Sequence, residues 1–134
     1  MDPLFDSTAL LGMKALLVED DSDSREVMGE LLAMHGLEVR TAESAEEGLA
    51  ILASFAPNVL LSDIHMPGQD GLWLIRHVRA LPPDQGGLTP AIAVSAGSTP
   101  EETLGAGFHV HVAKPFDPAY LVSVVRGLAK EGAK

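Results

Sequence analysis

The chain has 134 residues, 46% from the apolar set and 21% charged, which suits one folded domain with a buried core. Nineteen acids against nine Lys and Arg leave a net charge of −10, which repels nucleic acid and anionic membrane and excludes the basic footprint of direct DNA binding. The absence of cysteine excludes disulfides, thiolate chemistry and Cys-based zinc sites.

No apolar run approaches the roughly 18 residues of a membrane span. The acidic start MDPLFDSTALLGMK lacks the basic segment of a signal peptide, so a cytoplasmic setting with no membrane partner is expected. Residues 1–12 read as a linker or remnant, 13–131 as the domain, and 132–134 as a tail.

Five strands alternate with five helices. The first strand is read over Ala15 to Glu19, and Ser22 or Asp23 caps a helix with Val27, Leu31 and Met34 on its inner face, closed by Gly36. Glu38 to Thr41 is the second strand. Ser44 opens the second helix, with Glu47 completing a capping box and Leu49 and Leu52 inward. Val59 to Ser62 leads to a helix from about Gly71 to Ala80 through Leu72, Ile75 and Val78. Ala91 to Ser95 precedes a short helix starting near Thr99-Pro100. Val110 to Ala113 precedes a last helix over about 118–130, with Leu121, Val124, Val125 and Leu128 inward. Three strands are nearly all apolar, as parallel strands covered on both faces should be. Five βα units in series predict an α/β doubly wound parallel sheet.

In such sheets the working site lies at the carboxyl ends of the strands. The first strand ends in Glu19, Asp20 and Asp21, the third in Asp63, the fourth in Ser95 and the fifth in Lys114. Asp21 reads as a surface acid. Glu19, Asp20 and Asp63 converge with no arginine expected nearby, and their repulsion calls for a cation. Short oxygen ligands suit Mg²⁺. The Asp63 carboxylate could then be a nucleophile toward phosphorus, with the metal and Lys114 neutralising phosphoryl charge and Ser95 hydrogen-bonding the product.

The stretches LLVEDDSDSRE, LLSDIHMPGQDG, AIAVSAG and HVAKPF, in that order, resemble the receiver domain of two-component response regulators over nearly all of residues 13–130. The resemblance implies a five-stranded flavodoxin-like (βα)5 fold with strand order 2-1-3-4-5. It implies that Asp63 is the phosphoacceptor, that Asp20 binds Mg²⁺ directly and Glu19 through water, and that His65 lends its backbone carbonyl to the metal. Ser95 and Lys114 complete the phosphate site, and the Lys114-Pro115 bond is expected to be cis. The phosphoryl donor would be a histidine kinase or a histidine phosphotransfer protein. Phosphorylation would draw Ser95 and its loop inward and shift a two-state surface.

Two departures stand out. The aromatic switch position holds His111, as in receivers attached to sensor kinases; it reads as a partly exposed surface residue whose rotating imidazole could still report on Ser95. The span from Ser95 to Lys114 is 19 residues, about three fewer than the resemblance leads one to expect, or close to one helical turn. With Gly105 and Gly107 in that span, a stunted, mobile fourth helix is expected.

His65 and His109 read as solvated side chains, although His65 could tune the lifetime of a phosphoryl group. Trp73 reads as a partly buried structural residue, and Glu43, Glu46 and Glu47 as a solvated face. Three rival readings carry weight. A Mg²⁺-dependent aspartyl phosphohydrolase would need His65 as its general acid, where an acid is usual. A flavin module would need a Ser/Thr-rich phosphate loop where this chain has acids. A degenerate receiver would serve only as a protein-binding scaffold. The leading expectation is a signalling module that catalyses only its own phosphorylation and dephosphorylation.

Overall fold

The computed structural model describes residues 11–132. Both termini, where the linker and tail are expected, fall largely outside that range. Five parallel strands, β1 (Lys14–Val18), β2 (Glu38–Ala42), β3 (Val59–Asp63), β4 (Ala91–Ser95) and β5 (Val110–Ala113), form one sheet in the order β2-β1-β3-β4-β5. The crossovers are α1 (Ser22–Met34), α2 (Ala45–Phe55), α3 (Gly71–Arg79) and α4 (Pro100–Ala106). The last described element is α5 (Pro118–Gly132), and a 3-10 turn, Pro83–Gln85, lies before β4.

Strand periodicity sorts the core into two layers. Leu16, Val18, Leu60, Ala91 and Ala93 face α2 and α3, meeting Leu52, Phe55, Leu74, Ile75 and Val78. Ala15, Leu17, Val59, Leu61, Ile92 and Val94 face α1 and α5, meeting Met28, Leu32, Leu121 and Val125. Both faces of β1, β3 and β4 are therefore buried, whereas β2 and β5 are partly exposed edges. Truncating a fully buried leucine such as Leu60 to alanine costs roughly 2–5 kcal/mol at such a position.

The expected inner face of α1 is rotated. Asp21, not Ser22 or Asp23, caps this helix, its carboxylate accepting from Ser24 N at 2.9 Å. Met28 and Leu32 are buried, Leu31 is partly buried, and Val27 and Met34 are 65% and 77% exposed. One residue of rotation is about 100° on a helix, enough to turn Val27 from core to surface. Gly36, at φ 94°, ends the helix as expected, in the left-handed conformation that glycine tolerates. In α3, Leu74 is sunk in the core and Leu72 only packs against it. In α5, Leu121 and Val125 are buried as expected, joined by Val122, with Val124 and Leu128 at the margin.

Ser44 caps α2 by accepting from Glu47 N at 3.1 Å. The reciprocal Glu47 carboxylate reaches Glu43 N at 3.5 Å, one residue earlier than in a standard box. The fourth helix is short, at seven residues. Three ties bind it to the rest of the fold. Thr103 is fully buried, its Oγ1 2.8 Å from His111 Nδ1. Arg79 Nε donates to Gly107 O at 2.9 Å. Phe108 is 4% exposed and sits in the core.

Candidate functional site

The parallel register brings four strand ends to one rim. Val18 lies beside Ser62, Asp63 beside Val94 and Ser95 beside Ala113, so the residues following or ending these strands share one edge. Carboxylate oxygens of Glu19, Asp20 and Asp63 all lie within 4.8 Å of one another. The Lys114 ammonium stands 3.5 Å from Glu19 Oε1 and 3.8 Å from Asp63 Oδ2. The Lys114-Pro115 peptide is cis.

Electrostatic strain concentrates on Glu19, only 2% exposed. Burial first, then the negative charge of Asp63, pushes its carboxyl up to about 7, against the weaker opposing pull of Lys114. A group of three acids with one ammonium is short of positive charge. Three hard oxygen donors on neighbouring strand ends suit a Mg²⁺ ion that keeps part of its water shell, and such an ion would return Glu19 to its carboxylate form.

Asp63 is held from its own side of the rim. Ile64 N donates to Asp63 Oδ1 at 2.7 Å, and the Ser62 hydroxyl donates to Asp63 O at 2.7 Å. Gly71 packs so close that a Cβ there would collide with the Asp63 carbonyl oxygen. Ser95, 1% exposed, points its hydroxyl oxygen at its own loop, accepting from Gly97 N at 3.3 Å and Ser98 N at 3.0 Å.

The expectation of no arginine nearby is incorrect. Arg25 Nη1 donates to the backbone carbonyls of Glu19 at 3.0 Å and Asp20 at 3.4 Å, while Nη2 pairs with Glu43 Oε1 at 3.2 Å. It grips the acidic loop by its backbone, so it does not replace a cation among the side-chain oxygens. Asp21 is a surface acid as expected, lowered by its capping bonds from Ser24.

His65, His77, His109 and His111 are exposed or partly exposed, yet their rings have partners. His65 Nε2 lies 3.1 Å from Ser98 Oγ, outside the carboxylate group. His109 Nδ1 accepts from Ala91 N at 3.1 Å and lies 3.2 Å from Arg79 Nη2. His111 turns to Thr103 rather than to Ser95. Trp73 is partly buried, stacked on His77 with ring centroids 4.0 Å apart. A cavity of about 530 Å³ opens beside Lys114, with Val27, Met28, Ala96, Pro115 and Phe116 in its wall. The outward turn of Val27 belongs to that wall.

A model of the response regulator receiver domain matches residues 15–126. An uncharacterized 14.6 kDa protein of Leptolyngbya boryana is 38% identical over 120 residues, covering 87% of this chain and 90% of its own length. The DNA-binding transcriptional regulator NtrC of Salmonella typhimurium is 40% identical over 112 residues, 81% of this chain but 23% of the regulator, so the chain spans about a quarter of that relative. Among solved structures, the signal receiver domain of a signal transduction histidine kinase from Syntrophus aciditrophicus superposes with a TM-score of 0.81 at 26% identity, covering 90% of this chain and 92% of that one. No helix among the described residues is long and apolar enough to cross a membrane.

Proposed function

This chain belongs to the response regulator receiver domain family, and from that premise we propose the roles of its individual residues in phosphoryl transfer. The domain accepts a phosphoryl group in a histidine-kinase phosphorelay, uses Mg²⁺, and catalyses only its own phosphorylation and dephosphorylation. In our reading an Asp63 carboxylate oxygen forms the new P–O bond as the P–N bond to the donor imidazole breaks, the bonding pair returning to that nitrogen. Asp20 and Asp63 would hold Mg²⁺ directly, Glu19 would act through water, and His65 would lend its backbone carbonyl. When bound, the metal supplies charge neutralisation at the phosphoryl oxygens. Lys114 draws the same oxygens from the other side. Ser95 takes a phosphoryl oxygen once its hydroxyl leaves the loop, and His111 responds to that movement through α4. Residues 13–131 are read as the receiver unit, with α5 running one residue further to Gly132.

The observation that carries this reading is the meeting of Glu19, Asp20 and Asp63 within 4.8 Å, with Lys114 on Asp63. A scaffold that had lost its chemistry would have no need of these close like charges. The hydrolase reading is weakened by His65, whose ring is engaged by Ser98. Incubation with acetyl phosphate and Mg²⁺ followed by intact-mass measurement is the test. One phosphoryl group on the wild type and none on Asp63→Asn is expected; equal labelling of both refutes the assignment.

A further inference from the structure

Two loops meet beside Asp63, and one side-chain hydrogen bond ties them. The loop after β3 carries His65, two residues beyond Asp63; the loop after β4 carries Ser98, three beyond Ser95. His65 Nε2 and Ser98 Oγ are 3.1 Å apart. Gly97 permits the approach, since a Cβ there would stand 3.1 Å from His65 Nε2 and 3.4 Å from its Cδ2. Ser98 is engaged twice: its hydroxyl meets His65, and its backbone N–H donates to Ser95 Oγ. The residues that hold the Ser95 hydroxyl are thus the ones against which the imidazole rests.

The residues flanking the two partners differ in burial. On the β3 side Ile64 and Met66 are buried, Ile64 N is bonded to Asp63 Oδ1, and Gly71 N donates to Ile64 O at 2.9 Å. On the β4 side Ala96, Gly97, Thr99 and Pro100 are all exposed. His65 is itself exposed, but its backbone lies between two buried residues, whereas Ser98 lies between exposed ones.

We propose that the His65–Ser98 hydrogen bond is a latch holding the Ser95 hydroxyl in its loop-bound orientation, which makes His65 and Ser98 positioning residues for the phosphorylation switch. This rests on the phosphoacceptor reading of Asp63. For Ser95 to turn toward a phosphoryl group, its oxygen must give up the N–H groups of Gly97 and Ser98. Ser98 cannot follow that movement while its hydroxyl stays on an imidazole fixed to the other strand. With the latch closed, turning therefore costs Ser95 its bond from Ser98 N, whereas with the latch open Ser98 can move with Ser95, so the latch sets the ease of the switch before any phosphoryl group arrives.

The test compares the full chain with His65→Ala, Ser98→Ala, the double variant and His65→Gln. Ser98→Ala keeps the backbone donor to Ser95 and removes only the hydroxyl. The first readout is hydrogen exchange at the Gly97 and Ser98 amides without a phosphoryl donor. Each single alanine variant is expected to speed exchange about fivefold, the weight of one hydrogen bond. The double variant should be no faster than either single, because both remove the same bond. His65→Gln should restore slow exchange, as an amide can donate or accept. The second readout, labelling rate with acetyl phosphate and Mg²⁺, should rise in the same variants and fall back in His65→Gln. Unchanged exchange in Ser98→Ala, or additive effects in the double variant, overturns the latch. Absence of label on the wild type overturns the phosphoacceptor reading instead, and the exchange data still decide the latch.

Discussion

The Lys114 ammonium lies 3.8 Å from the nearer Asp63 carboxylate oxygen. It lies still closer to Glu19, so one cation is shared between two acids from different strands. Lysine is a compact point charge on a flexible stem and can turn from the carboxylates to an arriving phosphoryl oxygen. Replacing it with methionine keeps the stem and removes the charge. Acetyl phosphate labelling of Lys114→Met is expected to slow by about 10²-fold or more, the usual effect of losing one preorganised donor in a transition state. A rate within threefold of wild type would show that Lys114 is not a phosphoryl contact.

The raised Glu19 carboxyl makes the metal-free protein sensitive to pH. Its folded value of about 7 exceeds the ordinary 4.5, so between those values the folded chain holds a proton that the unfolded chain has lost. Unfolding then releases a proton, and stability from this group is fully present below about 4.5 and is lost as pH rises through about 7. Mg²⁺ reverses the trend by favouring the carboxylate, and its apparent affinity should climb up to about pH 7 and then level off. Thermal melts from pH 5 to 8, with chelator or with Mg²⁺, check this. Glu19→Gln should flatten the metal-free profile and reduce the Mg²⁺ response.

Arg25 offers a way to weaken the metal site without touching a ligand. Its side chain is 17% exposed and donates to the carbonyls of both Glu19 and Asp20, whereas its carboxylate partner Glu43 is 70% exposed. An exposed pair contributes little, but the backbone bonds fix the loop that aims two of the three acids. Arg25→Ala is expected to raise the Mg²⁺ dissociation constant roughly fivefold, equivalent to about one hydrogen bond. Glu43→Gln should stay within twofold. Calorimetric titration distinguishes the two, and equal effects would assign the role to the ion pair.

The site's carboxylates were legible in the sequence because each closes a short apolar strand, and parallel pairing brings such ends together whatever the intervening helices do. Asp63 after Val59-Leu60-Leu61, and Lys114 after Val112-Ala113, needed no knowledge of side-chain direction. The face of α1 needed more. Val27, Leu31 and Met34 fit a helical stripe as well as Met28 and Leu32, and only docking on β1 and β3 chooses between them. Cross-fold side-chain pairs left still weaker traces. His65 and Ser98 are 33 residues apart, and Arg79 reaches 28 residues on to Gly107, so local patterning marks neither partner. Short range did not help either with Thr103 and His111, eight residues apart, because a threonine in a short acidic helix looks exposed.

The fourth helix allows the idea of a mobile switch element to be tested with two glycines. Gly105 lies within α4, and a Cβ added there would meet no atom within 4 Å, so alanine adds helix propensity without a clash. Gly107 has a φ of 132°, and its Cβ would stand 2.9 Å from Arg79 Cγ and 3.2 Å from Ile75 Cγ1. Gly105→Ala should stabilise the protein by about 0.5–1 kcal/mol and slow amide exchange in α4. Gly107→Ala should destabilise it by more than that, since it strains the backbone and disturbs the arginine that binds Gly107, Gly87 and Thr89 carbonyls. Denaturant midpoints measure both signs. Within α4, exchange should be fastest in the first turn and slower toward Thr103, which meets His111, and toward the helix end, where Arg79 binds Gly107 O. Uniformly fast exchange across the helix would mean that these ties do not restrain it.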